Sequence, residues 1–242
     1  KPFRIKIRNV LNDNFTYFYV KKADASRIYG LDFEHILSPH RINFLVYKDT
    51  LIEEHIAGIP GDVFIKEELD KCDSLAKNQI AKEFVKFNER CTLRLLGDMR
   101  SYNYVIIPIH DFDHVNYRIR AIDFDQQNYE GSLKVYRPQF FKENYKMVML
   151  VADRLEESSI EQYRNEERSH VAKRLITSQR RFRTLIRCMI KDHISKDEYV
   201  KQLRSELVDF TKDVKFKRAK TMGHILKTAL EFVKRNYLEL DK

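Results

Sequence analysis

Apolar and basic residues alternate over residues 4–10, Arg-Ile-Lys-Ile-Arg-Asn-Val, which predicts a strand. Asn12-Asp13-Asn14 supply a turn. Residues 15–22, Phe-Thr-Tyr-Phe-Tyr-Val-Lys-Lys, are aromatic and β-branched and predict a second strand. Residues 26–37 then change period: Ile28, Leu31, Phe33, Ile36 and Leu37 mark a short helix, ended by Ser38-Pro39. Residues 42–48 and 50–56 predict a strand pair turning at Asp49. The break Ala57-Gly58-Ile59-Pro60-Gly61-Asp62 follows, where one structural unit should give way to the next. Residues 63–93 are helical in pattern, with Ile80, Phe84, Phe87 and Leu93 as apolar members. A hairpin is expected between Asn103 and Asp123. Beyond it, residues 138–153, 157–190, 197–211 and 222–237 have helical periodicity, with breaks near Glu156, Lys191 and Lys215. Leu203, Leu207 and Phe210 form one apolar stripe, and Ile225, Leu226, Ala229, Leu230 and Phe232 another.

At 242 residues the chain is long enough to bury a full core, as one large domain or two lobes. No apolar run is long enough to span a membrane, and no secretory signal reads at its start. Cys72, Cys91 and Cys188 are odd in number and lack CxxC spacing, which predicts reduced thiols in a cytoplasmic protein and no zinc site. The net charge of +9 is uneven: residues 1–131 hold 19 Lys+Arg against 20 Asp+Glu, and residues 132–242 hold 26 against 16. Most such charge solvates helix faces. The cluster Arg180-Arg181-Phe182-Arg183, an aromatic among cations, also suits nucleic-acid phosphates, so a nucleic-acid-binding protein using the basic helices is one reading of this half.

The chemistry-bearing residues concentrate in residues 94–126. Asp98-Met-Arg-Ser-Tyr-Asn103 precedes the hairpin and Ile122-Asp123-Phe124-Asp125 closes it. Strands flanking the turn bring Asn103 and Asp123 to the same end. That end then offers a carboxylate for a base, and an amide oxygen plus a carboxylate for Mg²⁺. The spacing resembles the catalytic loop and metal motif of the protein-kinase-like superfamily, in which Asp, four residues and Asn are followed by a strand pair ending in Asp-Phe-Gly or a relative of it. Gly97-Asp98 is most similar to the His-Gly-Asp loop of aminoglycoside-phosphotransferase-type kinases. Leu96 replaces the usual His, Asp125 replaces the Gly, and the hairpin is longer. Asp123-Phe124-Asp125 also resembles the Asp-x-Asp motif of haloacid-dehalogenase-like phosphatases. That family places a Thr or Val soon after the second Asp, near the start of its domain, whereas Gln126-Gln127 follow here in mid-chain.

The kinase-like resemblance implies further roles. A Lys on the second strand would bind the α- and β-phosphates of ATP, and an acid on the next helix would hold it. Strand alternation puts Tyr19 and Lys21 on one face and Val20 and Lys22 on the other. With Val20 toward the core, Lys21 is favoured over Lys22, and Tyr19 would lie against the base. Glu34 is the acid expected to pair with the Lys. Glu54, His55 and Ile56, before the Gly-Pro-Gly break, would be the hinge whose backbone bonds adenine. Asp98 would be the base, with Arg100 neutralising charge on the transferred group. Asn103 and Asp123 would hold Mg²⁺, with Asp125 a further metal carboxylate or a surface acid.

The turn at residues 12–14 contains no glycine, so a Gly-rich phosphate loop is expected upstream of Lys1, or else the small lobe is reduced. Only a short stretch, residues 126–137, separates Asp123 from the next helical pattern, and no Ala-Pro-Glu anchor follows. That favours a small-molecule acceptor. The expectation is a two-lobed α+β protein of protein-kinase-like fold, with a β-rich nucleotide-binding lobe over 1–56 and a mainly helical lobe over 57–242. Its expected activity is ATP- and Mg²⁺-dependent phosphoryl transfer to a hydroxyl. A pseudokinase-like module that binds nucleotide without catalysis is the rival favoured by Leu96 and the missing loop.

Overall fold

A computed structural model describes residues 2–112 and 114–238. The chain is a mixed α+β protein with two small antiparallel sheets. The first has the order β1(Phe3–Arg8), β2(Phe15–Lys22), β4(Thr50–Glu54), β3(Phe44–Tyr47). The turn between β1 and β2 is fastened by a bond from the Asn9 N–H to the Asn14 carbonyl and by Arg8 on the Asp13 carboxylate. Lys48, in the left-handed region at φ 51°, turns β3 into β4.

Helix α1(Ala25–Leu37) connects β2 to β3. Asp24 caps it, accepting from the Arg27 N–H. The second sheet is β5(Ile59–Pro60), β6(Tyr104–Asp111) and β7(His114–Ala121). Between β5 and β6 lie a short helical run over residues 61–71, beginning with α2(Gly61–Val63), and the long helix α3(Ser74–Arg94). Asp73 caps α3 at its start, and Leu95 ends it in the left-handed conformation. The remainder is helical: α4(Tyr145–Arg154), α5(Glu157–Thr177), α6(Gln179–Lys191), α7(Asp197–Thr211) and α8(Met222–Tyr237).

Most element types follow the hydrophobic pattern, with three departures. Residues 138–144 form 3₁₀ turns in place of a helix start. The buried Asn144 amide donates to the carbonyls of Met99 and Pro138 there, and its oxygen accepts from the Tyr104 hydroxyl. The periodic block over 157–190 is two helices broken at Ser178. Phe210, expected in the α7 stripe, is exposed and packs on the Arg137 guanidinium 5.2 Å from its ring centre. Leu203 and Leu207 of that stripe are buried.

Two apolar cores divide the molecule. One joins α3 to the sheets through Leu31, Leu51, Phe64, Phe84, Phe87, Tyr104 and Phe124. The other joins α1 to α5, α6, α7 and α8 through Phe33, Leu175, Met189, Leu203, Phe216 and Leu226. Gly223 lets α8 approach α6 closely: a Cβ there would lie 2.6 Å from the Ile190 nitrogen and the Met189 carbonyl carbon. Both are backbone atoms, which cannot swing aside. Gly223→Ala should therefore cost about 1–3 kcal/mol of overpacking, despite alanine's better helix propensity. Urea denaturation checks this, and an unchanged or raised stability would show that the two helices separate freely. Among the described residues no helix is long and apolar enough to cross a membrane.

Candidate active site

Hairpin register builds the site. Tyr104 opposes Ala121, and one step further the Ile122 N–H donates to the Asn103 carbonyl at 3.0 Å. Asn103 therefore sits beside the strand end that carries Asp123. The loop leading to it is held from three sides: the Gly97 N–H bonds the Gln126 carbonyl, the Asp98 N–H bonds the Val135 carbonyl, and Leu96 bridges to Gln127. Leu96 is buried in the core and braces the loop by packing where a hydrogen-bonding His was missed in the sequence.

Asp98 adopts the left-handed conformation at φ 56°. Its Oδ1 accepts from Arg100 Nε at 2.7 Å and its Oδ2 from Asn103 Nδ2 at 3.2 Å. The same Asn103 nitrogen donates to the Asp98 carbonyl at 2.7 Å. With the amide nitrogen so committed, the Asn103 Oδ1 is the end left for a ligand. Arg100 also donates to Glu143 at 2.8 Å and lies 4.8 Å from the Phe141 ring centre. Arg100 is thus pinned between two carboxylates, and its part here is to orient Asp98.

On β2 and β4, Tyr19 opposes Glu53 and Lys21 opposes Leu51, so all four share one face of the sheet. Leu51 is fully buried and Glu53 nearly so, which makes this the inward face. Val20, expected toward the core beside Lys21, lies on the other face. Lys21 Nζ meets Glu53 Oε1 at 2.5 Å. Burial pushes the Glu53 carboxyl up, and Lys21 pulls it back only in part.

Glu34 does not hold Lys21. It is buried at the far side of α1 and pairs with Arg94 at the end of α3. The physical reason is direction: α1 turns the Glu34 face toward the α3 terminus, while the strand neighbour Glu53 already faces Lys21. Of the expected hinge donors, the His55 N–H is taken by the Tyr17 carbonyl and the Glu54 N–H by the Asn43 carbonyl, each at 2.8 Å. Neither N–H is free to donate to a ligand, and the Ile56 amide is the remaining donor of the three. The His55 ring stands edge-on to Tyr19, 5.4 Å between centres.

These groups meet around one cavity of about 280 Å³. Tyr19, Lys21, Glu54, His55 and Ile56 line it from the first sheet and its exit, and Asn103 and Asp123 line it from the hairpin. Glu53 and Tyr102 also line it and were not singled out from the sequence. Asp125 does not line it; its Oδ2 pairs with Arg27 at 3.1 Å. Burial, then the neighbouring Asp123, pushes the Asp125 carboxyl up, against the pull of Arg27. Asp98 acts on Asp125 as well, so the three carboxylates share one field. Arg27 is the second residue missed: it reaches from the first turn of α1 to Asp24, Asp123 and Asp125. Nothing in the sequence pattern singles it out, because its target Asp125 lies about a hundred residues on.

Among the described residues no group of three or more His, Cys, Asp or Glu gathers to hold a metal. Mg²⁺ bound with a nucleotide needs no such cage, because one or two protein oxygens suffice beside phosphates and water. Asp123 and Asn103, which both line the cavity, carry the oxygen types of that smaller donor set. No protein-family model matches the chain, and no curated protein matches it in sequence.

Proposed function

We propose that the chain is an ATP- and Mg²⁺-dependent phosphotransferase of two-lobed, protein-kinase-like architecture, acting on a hydroxyl of a small molecule. The observation that carries this reading is the shared cavity: Lys21, Asn103 and Asp123, far apart in sequence, line it beside the end of β4. Lys21 would steady the α- and β-phosphates. Asn103 and Asp123 would hold Mg²⁺, which when bound neutralises charge on the phosphates. Asp98 would accept the proton of the acceptor hydroxyl as its oxygen bonds the γ-phosphorus and the bond to the β-phosphate oxygen breaks. Arg100 and Asn103 hold both oxygens of that carboxylate, which fixes its direction. The Ile56 amide is left to bond the adenine.

Asp123→Asn tests the metal role. Mg·ATP binding, measured by calorimetry, should be lost or fall steeply, since one of two metal donors loses its charge. Equal Mg·ATP affinity in both proteins would remove Asp123 from the site. The Arg27 guanidinium, 3.8 Å from Asp123 and 3.1 Å from Asp125, supports a second reading. A cation of the protein's own beside these carboxylates suits a module that binds nucleotide without metal or turnover. ATP binding that is as tight in EDTA as in Mg²⁺, without phosphate transfer, would favour it.

A further inference from the structure

A second cleft, sharing no wall residue with the first cavity, runs between α3, the outer end of the β6–β7 hairpin and α5. Its volume is about 910 Å³. Three elements supply cations: Lys82, Lys86 and Arg90 at four-residue spacing on α3, Arg118 on β7, and Arg174 on α5. Against them stand Glu83, Asp111 and Glu167. Two of the cations are neutralised, Lys86 by Glu166 and Arg90 Nη1 by Glu167. The others have no carboxylate partner among the described residues: Lys82 sits over the Tyr163 ring, Arg174 donates to the Ser38 carbonyl, and Arg118 is exposed.

Arg90 is an independent observation. The residue is 8 % exposed, and its Nη2 is buried without a hydrogen-bond partner. A buried guanidinium N–H demands an acceptor. His40, at the edge of the same cleft, feels the same field. Its imidazole is pushed down to about 4, chiefly by burial and then by Arg90 and Arg120, against the pull of Glu34 and with a smaller push from Arg118.

We propose that this cleft binds a phosphorylated small molecule, its phosphate held by Arg90, Arg118 and Lys82. Forked guanidinium donors match phosphate oxygens, and a lysine adds a point charge. The volume is that of a small-molecule site. A nucleic-acid strand fits less well. Its bases need aromatic faces to stack on, and among the described residues the only aromatic ring on the wall apart from histidines is Tyr117. Glu83, Asp111 and Glu167 would repel a continuous phosphate backbone. The proposal is independent of the phosphotransferase reading and does not need the first cavity to bind ATP.

Pyrophosphate is the probe. Calorimetry on the wild-type chain should show binding, and Arg118→Ala and Lys82→Ala should each weaken it about tenfold or more, as expected for a lost charged hydrogen bond. Neither side chain is buried, so both variants should fold; unchanged thermal unfolding verifies this. Asp123→Asn should leave pyrophosphate affinity unchanged, which separates this cleft from the first cavity. Bound anion should also raise the pH at which the His40 ring resonances titrate. Four results overturn the proposal: no binding at millimolar pyrophosphate, equal affinity in the variants, an unmoved His40 titration, or tighter retention of single-stranded RNA than of pyrophosphate with the same dependence on Arg118.

Discussion

Asp98→Asn should cut phosphoryl transfer by about 10²–10⁴-fold while leaving Mg·ATP affinity nearly unchanged. The geometry separates the two effects. Asp98 does not line the cavity proposed for the nucleotide, whereas Asn103 and Asp123 do. Asparagine keeps the shape and can still accept from Arg100 through its oxygen, so the loop should hold. What it loses is the ability to take a proton. It also presents an NH₂ to the Asn103 amide nitrogen, which now donates to Asp98 Oδ2 at 3.2 Å. That repulsion can turn the Asn103 amide, so Asp98→Asn is best paired with Asp98→Ala. If both lower transfer alike while ATP still binds, the lost group is the base. If both lower ATP affinity instead, Asp98 acts through Asn103 on the metal. Transfer at the wild-type rate in either variant sinks the assignment. Arg100→Ala should lie between, because it frees the carboxylate without removing it; its rate loss should appear in kcat more than in KM.

The sequence exposes those parts of this arrangement that depend on period and order along the chain. β2 was legible because eight aromatic, β-branched and basic residues run without a break, and α1 because its apolar residues recur at helical spacing between Asp24 and Pro39. The Asn103–Asp123 neighbourhood was legible because a hairpin fixes it locally, once two strands and a turn are recognised. Glu53 was not legible as the partner of Lys21. That contact depends on which strand lies next to β2, and β4 reaches that place only after a helix and another strand. Period alone places Glu53 and Leu51 on one face but not the face of which neighbour. Glu34 was misread for the matching reason: one acid on a helix with several faces says nothing of which face meets the sheet. Arg27 stayed hidden because a long cation near a helix start is common, and its targets lie about a hundred residues on.

The buried pair behind α1 gives the largest expected loss of stability. Arg94→Met should destabilise the fold by about 3–5 kcal/mol, the usual cost of stripping one partner from a buried ion pair. Arg94 is 2 % exposed and Glu34 5 %. Arg94 donates to the Glu34 carboxylate and to the Gly30 carbonyl, and reaches Gln127 Oε1 at 3.3 Å. Its guanidinium carbon also lies 5.6 Å from the Phe124 ring centre. One side chain therefore fastens α1 to the end of α3 and to the segment after Asp123. Methionine fills the volume but leaves the Glu34 charge without its cation, in a place water does not reach, and takes from the Gly30 carbonyl its second donor beside the helical one. Removing both charges is different. Arg94→Met with Glu34→Leu leaves no buried ion, and such replacements are often neutral or stabilising, so the double variant should recover much of the loss. Urea denaturation of the three variants measures this coupling. A loss below about 1 kcal/mol for Arg94→Met, the range of exposed pairs, would mean that the pair is solvated in solution. Full recovery of stability without recovery of ATP binding would carry a further consequence. It would show that the pair sets the position of α1, and with it Arg27 over Asp123 and Asp125, rather than holding the fold together.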